Sequence, residues 1–199
     1  MGERMDKQYG VSSKKVNSRV LELAQMGIFT ALLIVCAQLV IPMPMGVPLT
    51  LQTFGVLLAG SVLGVRKGAI ATSAYLLLGM IGLPVFQSFT GGISLFAGPT
   101  GGFLLSFPLM ALIVGAFLRL GQGRSKGQAL VLNFVGALLA VVCNLSLGML
   151  FFAFNMGTDI GRAFYLVVLP FLLVELVKVV GATLLGSSIR IALTRQRLL

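Results

Sequence analysis

The chain has 199 residues, of which 57% are hydrophobic and 10% charged, and it carries a formal net charge of +10. With a mean hydropathy of +1.03, it lacks the polar surface that a soluble domain of this size needs to cover itself. Several apolar runs reach bilayer length and none alternates as a barrel strand does, so the composition predicts an all-α integral membrane protein.

Six transmembrane helices are predicted, at roughly 20–41, 49–65, 68–83, 102–120, 128–153 and 163–193. They form one compact helical membrane domain over residues 20–193, preceded by a basic segment at 1–19 and followed by a basic tail at 194–199. The first apolar stretch reads as a span, not a cleaved signal peptide, because a long polar segment precedes it and no small-residue cleavage site ends a short apolar core. Helix one carries Ala24, Gly27 and Ala31 on one face. Such small residues let another helix approach closely, either within the chain's own bundle or on a different membrane subunit. Pro42, Pro44 and Pro48 stiffen the next connection.

Helices two and three are short for a full span of about 20 residues. Gln52 opens helix two, as an interfacial amide or a pocket residue. Tyr75 in helix three is a packed aromatic or a pocket hydroxyl. The connection Pro84 to Gly101, PVFQSFTGGISLFAGPTG, lies in a stretch without a charged residue from Lys67 to Arg119. A solvated loop would be polar. Phe86, Phe89, Ile93, Leu95 and Phe96 predict instead that it packs onto the helices. Thr90 and Thr100 offer hydroxyls, while Gly91, Gly92 and Gly101 allow a close approach to a ligand. The segment is thus a binding loop or a re-entrant packing loop.

In helix five, Asn144 needs partners in a dry interior, across a helix interface or in a pocket. Cys36 and Cys143 both fall within spans, which argues against a disulfide. Glu175 and Lys178 interrupt the apolar run from Ala163 to Leu193. A charge at that depth costs roughly 2.5–3.5 kcal/mol on insertion scales and commonly marks a pathway or a site. Their i, i+3 spacing puts both on one helix face. They form an internal clamp or hold a ligand, with Glu175 accepting from N–H donors and Lys178 donating to an oxygen.

All but Arg162 and Lys178 of the 15 cationic residues lie before helix one, at or beside the connections between helices two and three or four and five, or near the end of helix six and beyond it. The positive-inside rule makes that side, and both termini, cytoplasmic. These clusters anchor the chain to anionic membrane lipid, and their spacing argues against nucleic-acid binding. The chain has no His and no HExxH motif, so no His-based catalysis or metal site is available and no enzyme is expected. The missing P-loop means that the chain cannot power transport alone. No internal repeat supports a large inverted-repeat transporter.

Three stretches together, VPLTLQTFGVLLAGSVLG (Val47 to Gly64), YLLLGMIGLPVF (Tyr75 to Phe86) and GGISLFAGPTGGFLLSF (Gly91 to Phe107), closely resemble the BioY family. These are the biotin-binding S components of energy-coupling factor (ECF) transporters. The resemblance covers nearly all of residues 20–190. It implies a six-helix S-component fold and capture of biotin at the extracytoplasmic face. It also implies assembly with a transmembrane coupling subunit and two ATP-binding-cassette ATPases, in the cell membrane. Where members often carry proline-glycine-aspartate before the last-helix lysine, this chain has Leu173, Val174 and Glu175.

Biotin's ureido ring has two N–H donors and one carbonyl, which suits Glu175 and Lys178, with Asn144 as a third partner. Its carboxylate is expected near Thr90 to Gly92 or Thr100 to Gly102; the reverse pose places it on Lys178. The candidate ligand residues are therefore Lys178, Glu175, Asn144, Gln52, Tyr75, Thr90, Gly91, Gly92, Thr100 and Gly101, and the candidate dock is Ala24, Gly27 and Ala31. The alternatives are an S component for another vitamin and a structural membrane subunit that transports nothing.

Overall fold

The computed structural model of the protein describes residues 18–43 and 46–196. The expected basic segment up to residue 17, Pro44, and the last three residues of the basic tail lie outside them. The first helix, α1, is Ser18–Gln38. Two short antiparallel strands follow, β1 (Val40–Ile41) and β2 (Leu49–Thr50), paired Val40 to Thr50 and Ile41 to Leu49. Five helices among the described residues are long and apolar enough to cross a membrane.

The expected second and third helices are one element, α2 (Gln52–Met80), which folds back on itself at Gly64. Gln52 and Tyr75 are hydrogen-bonded at 2.7 Å, whereas a straight helix would hold them about 35 Å apart. Gly64 has φ 80 and ψ −168, a region that is essentially glycine's alone. The arms, 52–63 and 65–80, are about 18 and 24 Å long, short of a hydrocarbon core of about 30 Å.

A short helix α3 (Ser94–Ala97) leads into α4 (Gly101–Leu105) and α5 (Phe107–Leu120). The expected continuous helix over 102–120 is therefore bent at Ser106. Pro108 explains the bend, because it supplies no N–H to the preceding turn. Next come α6 (Lys126–Met156), capped by a reciprocal pair of bonds between Ser125 and Gln128, and α7 (Ile160–Val167), capped by Asp159.

The expected single helix over 163–193 is also divided. Residues Leu169–Phe171 form a 3₁₀ turn around Pro170, and α8 is Leu172–Arg195. Glu175 therefore sits in the first turn of α8 and not in mid-helix. There the positive end of the helix dipole favours its carboxylate.

The α2 hairpin is the centre of the bundle, packing on α5, α1 and α8. Leu33, Val56, Leu57, Val62, Ala71, Met110, Val114 and Val179 are buried together in the core. The ends of the bundle are defined by polar ties. Lys67 pairs with Glu22 at 3.2 Å, and an Arg190 guanidinium N–H donates to the Val62 carbonyl at 2.7 Å. The start of α1, the Gly64 turn and the end of α8 thus share one end, with Arg66, Arg119, Arg124 and Lys126 on the connections expected there. At the opposite end, Gln38 donates to the Phe86 carbonyl and accepts from the Phe89 N–H, both at 3.0 Å. That tie fastens the 84–101 segment to α1.

Phe86 and Phe96 in this segment are buried as expected, and Leu95 packs on the core. Phe89 and Ile93 are not: they are 72% and 68% exposed. The Phe86–Thr90 bridge closes a tight turn in which Ser88 and Phe89 both have positive φ, and this turns the Phe89 ring outward. On α1, Ala24, Gly27 and Ala31 are all exposed. No atom lies within 4 Å of where a Gly27 Cβ would stand, so this face takes no part in the chain's own packing. Cys36 and Cys143 are free thiols.

Candidate ligand-binding site

The breaks at 168–171 and Ser106, together with the hairpin of α2, bring polar residues from three helices, α2, α6 and α8, around one cavity at the end opposite the Gly64 turn. It spans about 620 Å³ with its open mouth included. Val47 and Pro48, Phe86 and Gln87, Thr100, and Phe103 with Phe107 form its walls; Gln52, Thr53, Asn144, Glu175 and Lys178 supply the polar groups.

Lys178 Nζ lies 2.5 Å from Glu175 Oε1. Thr53 completes the group: its hydroxyl donates to Glu175 Oε1 and accepts from Lys178 Nζ, both at 3.0 Å. Each charge is thereby compensated in a dry setting, where an unpaired one would be costly. The compensation stops at one atom. Glu175 Oε2 is buried with no hydrogen-bond partner among the described residues. A carboxylate oxygen left so forfeits a charge-assisted bond unless a donor arrives from outside the chain.

A second chain of bonds crosses the α2 hairpin. The Thr50 hydroxyl donates to Gln52 Oε1 at 2.8 Å, and Gln52 Nε2 donates to the Tyr75 hydroxyl at 2.7 Å. Tyr75 is fully buried, packs edge-on against Phe86 and stacks on Phe107. It does not line the cavity; it fixes Gln52 and two aromatic walls. Asn144 does both things foreseen for it. It lines the cavity, and its Nδ2 donates to the Phe103 carbonyl at 3.0 Å and to Ser106 Oγ at 2.6 Å. Those bonds serve groups at the bend between α4 and α5.

The glycine-rich loop divides. Thr100 is in the cavity wall. Thr90 is exposed, and its hydroxyl donates to the Gln87 carbonyl at 2.7 Å. The Gly92 N–H is taken by the Gly79 carbonyl, also at 2.7 Å. A Cβ at Gly91 would collide with the Leu83 carbonyl oxygen. Thr90, Gly91 and Gly92 therefore serve packing against the end of α2 and lie off the cavity. Gly101 is buried, with its N–H bonded to the Gly98 carbonyl, and is likewise off the wall. Sequence reasoning passed over Thr53, Thr50 and Gln87. The available signal was Thr53 beside Gln52 at the start of an apolar helix.

A sequence model of the BioY family matches residues 7–195. The chain belongs to the BioY family. Its relatives include "Biotin transporter BioY2" of Lactococcus lactis, 37% identical over 181 residues that cover 89% of this chain and 94% of that protein. "Biotin transporter BioY" of Thermotoga maritima is 37% identical over 169 residues, covering 85% and 95%. Among solved structures, the S-component for biotin from an ECF-type ABC transporter superposes with a TM-score of 0.78 at 26% identity, over 89% of this chain and 95% of that one. This BioY-family chain thus has the fold of a transporter S component and is a multi-pass membrane protein.

Proposed function

We propose that the chain is a substrate-capture subunit that binds biotin from the extracytoplasmic side and delivers it inward with an ECF coupling subunit and two ATPases. The observation that carries this reading is the unpartnered Glu175 Oε2 beside the Glu175–Thr53–Lys178 group, in the wall of a cavity that is otherwise largely aromatic and apolar. A ureido ring supplies what that arrangement lacks. One ring N–H donates to Glu175 Oε2, and the ring carbonyl accepts from Lys178. The fused bicycle and thioether lie against Phe86, Phe103 and Phe107, and the side-chain carboxylate points toward the Thr100 hydroxyl.

The names of the relatives support the same ligand, and no step of this account requires the chain to turn its ligand over. The basic end of the bundle sets the orientation, with both termini cytoplasmic and the cavity facing out. With the two arms of α2 counted separately, the bundle has six spans in a plasma membrane. The exposed Ala24, Gly27 and Ala31 face is the dock for the coupling subunit.

Mass spectrometry of the small molecules extracted from protein purified without added ligand tests this reading. Biotin at near-stoichiometric amount supports it. A different vitamin, or no ligand together with no biotin binding on re-addition, contradicts it.

A further inference from the structure

A second cavity lies at the other end of the bundle and shares no lining residue with the first. It opens between the α5–α6 connection and the last turns of α8, and encloses about 1,060 Å³ with its mouth included. Arg190 stands roughly 18 Å farther along α8 than Lys178, at about 1.5 Å per residue. Three cations line this cavity, Arg124, Lys126 and Arg190, together with the apolar side chains of Leu130, Leu184 and Ile191.

Among the described residues, no carboxylate lines it. The described carboxylates are engaged elsewhere: Glu22 with Lys67, Glu175 with Lys178, and Asp159 at the cap of α7. The guanidinium groups of Arg124 and Arg190 each donate to a backbone carbonyl, of Leu120 and Val62 respectively, and a guanidinium has five N–H donors in all. Positive charge is therefore concentrated over a greasy groove whose α8 wall is open, Leu184 being 53% and Ile191 47% exposed. A soluble anion would use the cations and leave the apolar walls bare. An acyl chain alone would leave the cations without a counterion.

We propose that this groove is a binding site for an anionic glycerophospholipid of the cytoplasmic leaflet. The phosphate is held by Arg124, Lys126 and the outer face of Arg190, and an acyl chain lies along Leu130, Leu184 and Ile191. Basic pockets between membrane helices on the cytoplasmic side hold anionic headgroups in this way. Because Arg190 also holds the Val62 carbonyl two residues before Gly64, the lipid ties the last helix to the hairpin turn of α2.

The test is native mass spectrometry of the full chain in neutral detergent with phosphatidylglycerol or phosphatidylcholine added. Wild type is expected to retain phosphatidylglycerol about tenfold better than phosphatidylcholine, and the Arg124→Gln/Lys126→Gln double variant to lose that preference. Both residues are exposed, so the variant keeps its fold, which its biotin affinity verifies. Arg119→Gln/Arg195→Gln removes the same charge outside the groove and is expected to keep the preference within about twofold. Ser188→Trp, which fills the groove without changing charge, is expected to lose retained lipid. Equal retention of the two lipids, or equal loss in both double variants, overturns the proposal in favour of an unspecific lipid shell. Displacement of the lipid by millimolar inorganic phosphate overturns it in favour of a free-anion site.

Discussion

Lys178 Nζ and Glu175 Oε1 stand 2.5 Å apart, with the two side chains only 4% and 5% exposed. Both residues line the cavity; Thr53 bonds both partners from the α2 side, while Glu175 Oε2 is buried with no hydrogen-bond partner among the described residues. Under the proposed function, stability and ligand recognition meet in this one group, and variants can separate them.

Lys178→Ala removes one member and leaves a buried carboxylate uncompensated, which costs about 3–5 kcal/mol and abolishes biotin binding. The double variant Glu175→Leu/Lys178→Met replaces the pair by apolar groups of similar length. It is expected to recover most of the thermal stability, since such replacements are often neutral or stabilising, and to bind no biotin. Thermal unfolding in detergent together with calorimetry separates the effects. A double variant that still binds biotin would place the ureido ring elsewhere.

Thr53→Val keeps the shape and deletes the hydroxyl that positions both charges. Hydrogen bonds to charged groups are worth about 1.5–3 kcal/mol, so biotin affinity is expected to fall by about 10- to 100-fold. The Gln52–Tyr75 bond on the neighbouring residue, and with it the hairpin, stays intact. Unchanged affinity in calorimetry would reduce Thr53 to a packing residue.

Asn144→Leu acts at a distance from the charges. It removes the amide donor shared by the Phe103 carbonyl and Ser106 Oγ, which keep only the 2.8 Å bond from the Ser106 hydroxyl to that carbonyl, at about 0.5–1.5 kcal/mol for each bond lost. Because this bend aims Thr100, Phe103 and Phe107 at the cavity, both melting temperature and affinity are expected to drop. Loss of affinity with an unchanged melting temperature would instead indicate a direct contact to the ligand.

Gly64→Ala places a Cβ on a residue with φ 80 and ψ −168, a conformation that costs about 1–3 kcal/mol for other residues. Nothing lies within 4 Å of the new methyl group, so the penalty is conformational and not steric crowding. A melting temperature equal to wild type would mean that the α2 hairpin turns without needing glycine.

The helical membrane class, the gathering of basic residues at one end of the bundle and the Glu175–Lys178 pair were legible because each rests on composition or charge, which a bilayer reads residue by residue. Thr53 was not. A hydroxyl in a membrane helix can bond back to its own preceding turn, and nothing local announces that this one reaches α8. Thr90, Gly91 and Gly92 misled for the converse reason. Glycine permits close approach without saying to what, and here the neighbour is the end of α2. Pro170 did mark the break before α8, but the unbroken apolar run around it hid the short turn. Glu175 gained its place at a helix start from that proline.

Gly27→Leu tests the dock. The position is open on all sides, so the isolated chain is expected to fold and bind biotin as wild type does. Uptake in cells that carry the coupling module is expected to fall sharply. Loss of biotin binding by the isolated variant would assign this face to internal packing.

The central claim is that Glu175 Oε2 accepts a ureido N–H. Calorimetric titration of the wild-type chain with biotin and with biotin methylated on both ureido nitrogens tests it with no change to the protein. The account predicts saturable one-to-one binding of biotin and at least about 100-fold weaker binding of the methylated analogue, because a charge-assisted bond is lost and a buried carboxylate oxygen stays unpaired. Equal affinity for the two ligands, or no binding of either, would contradict it.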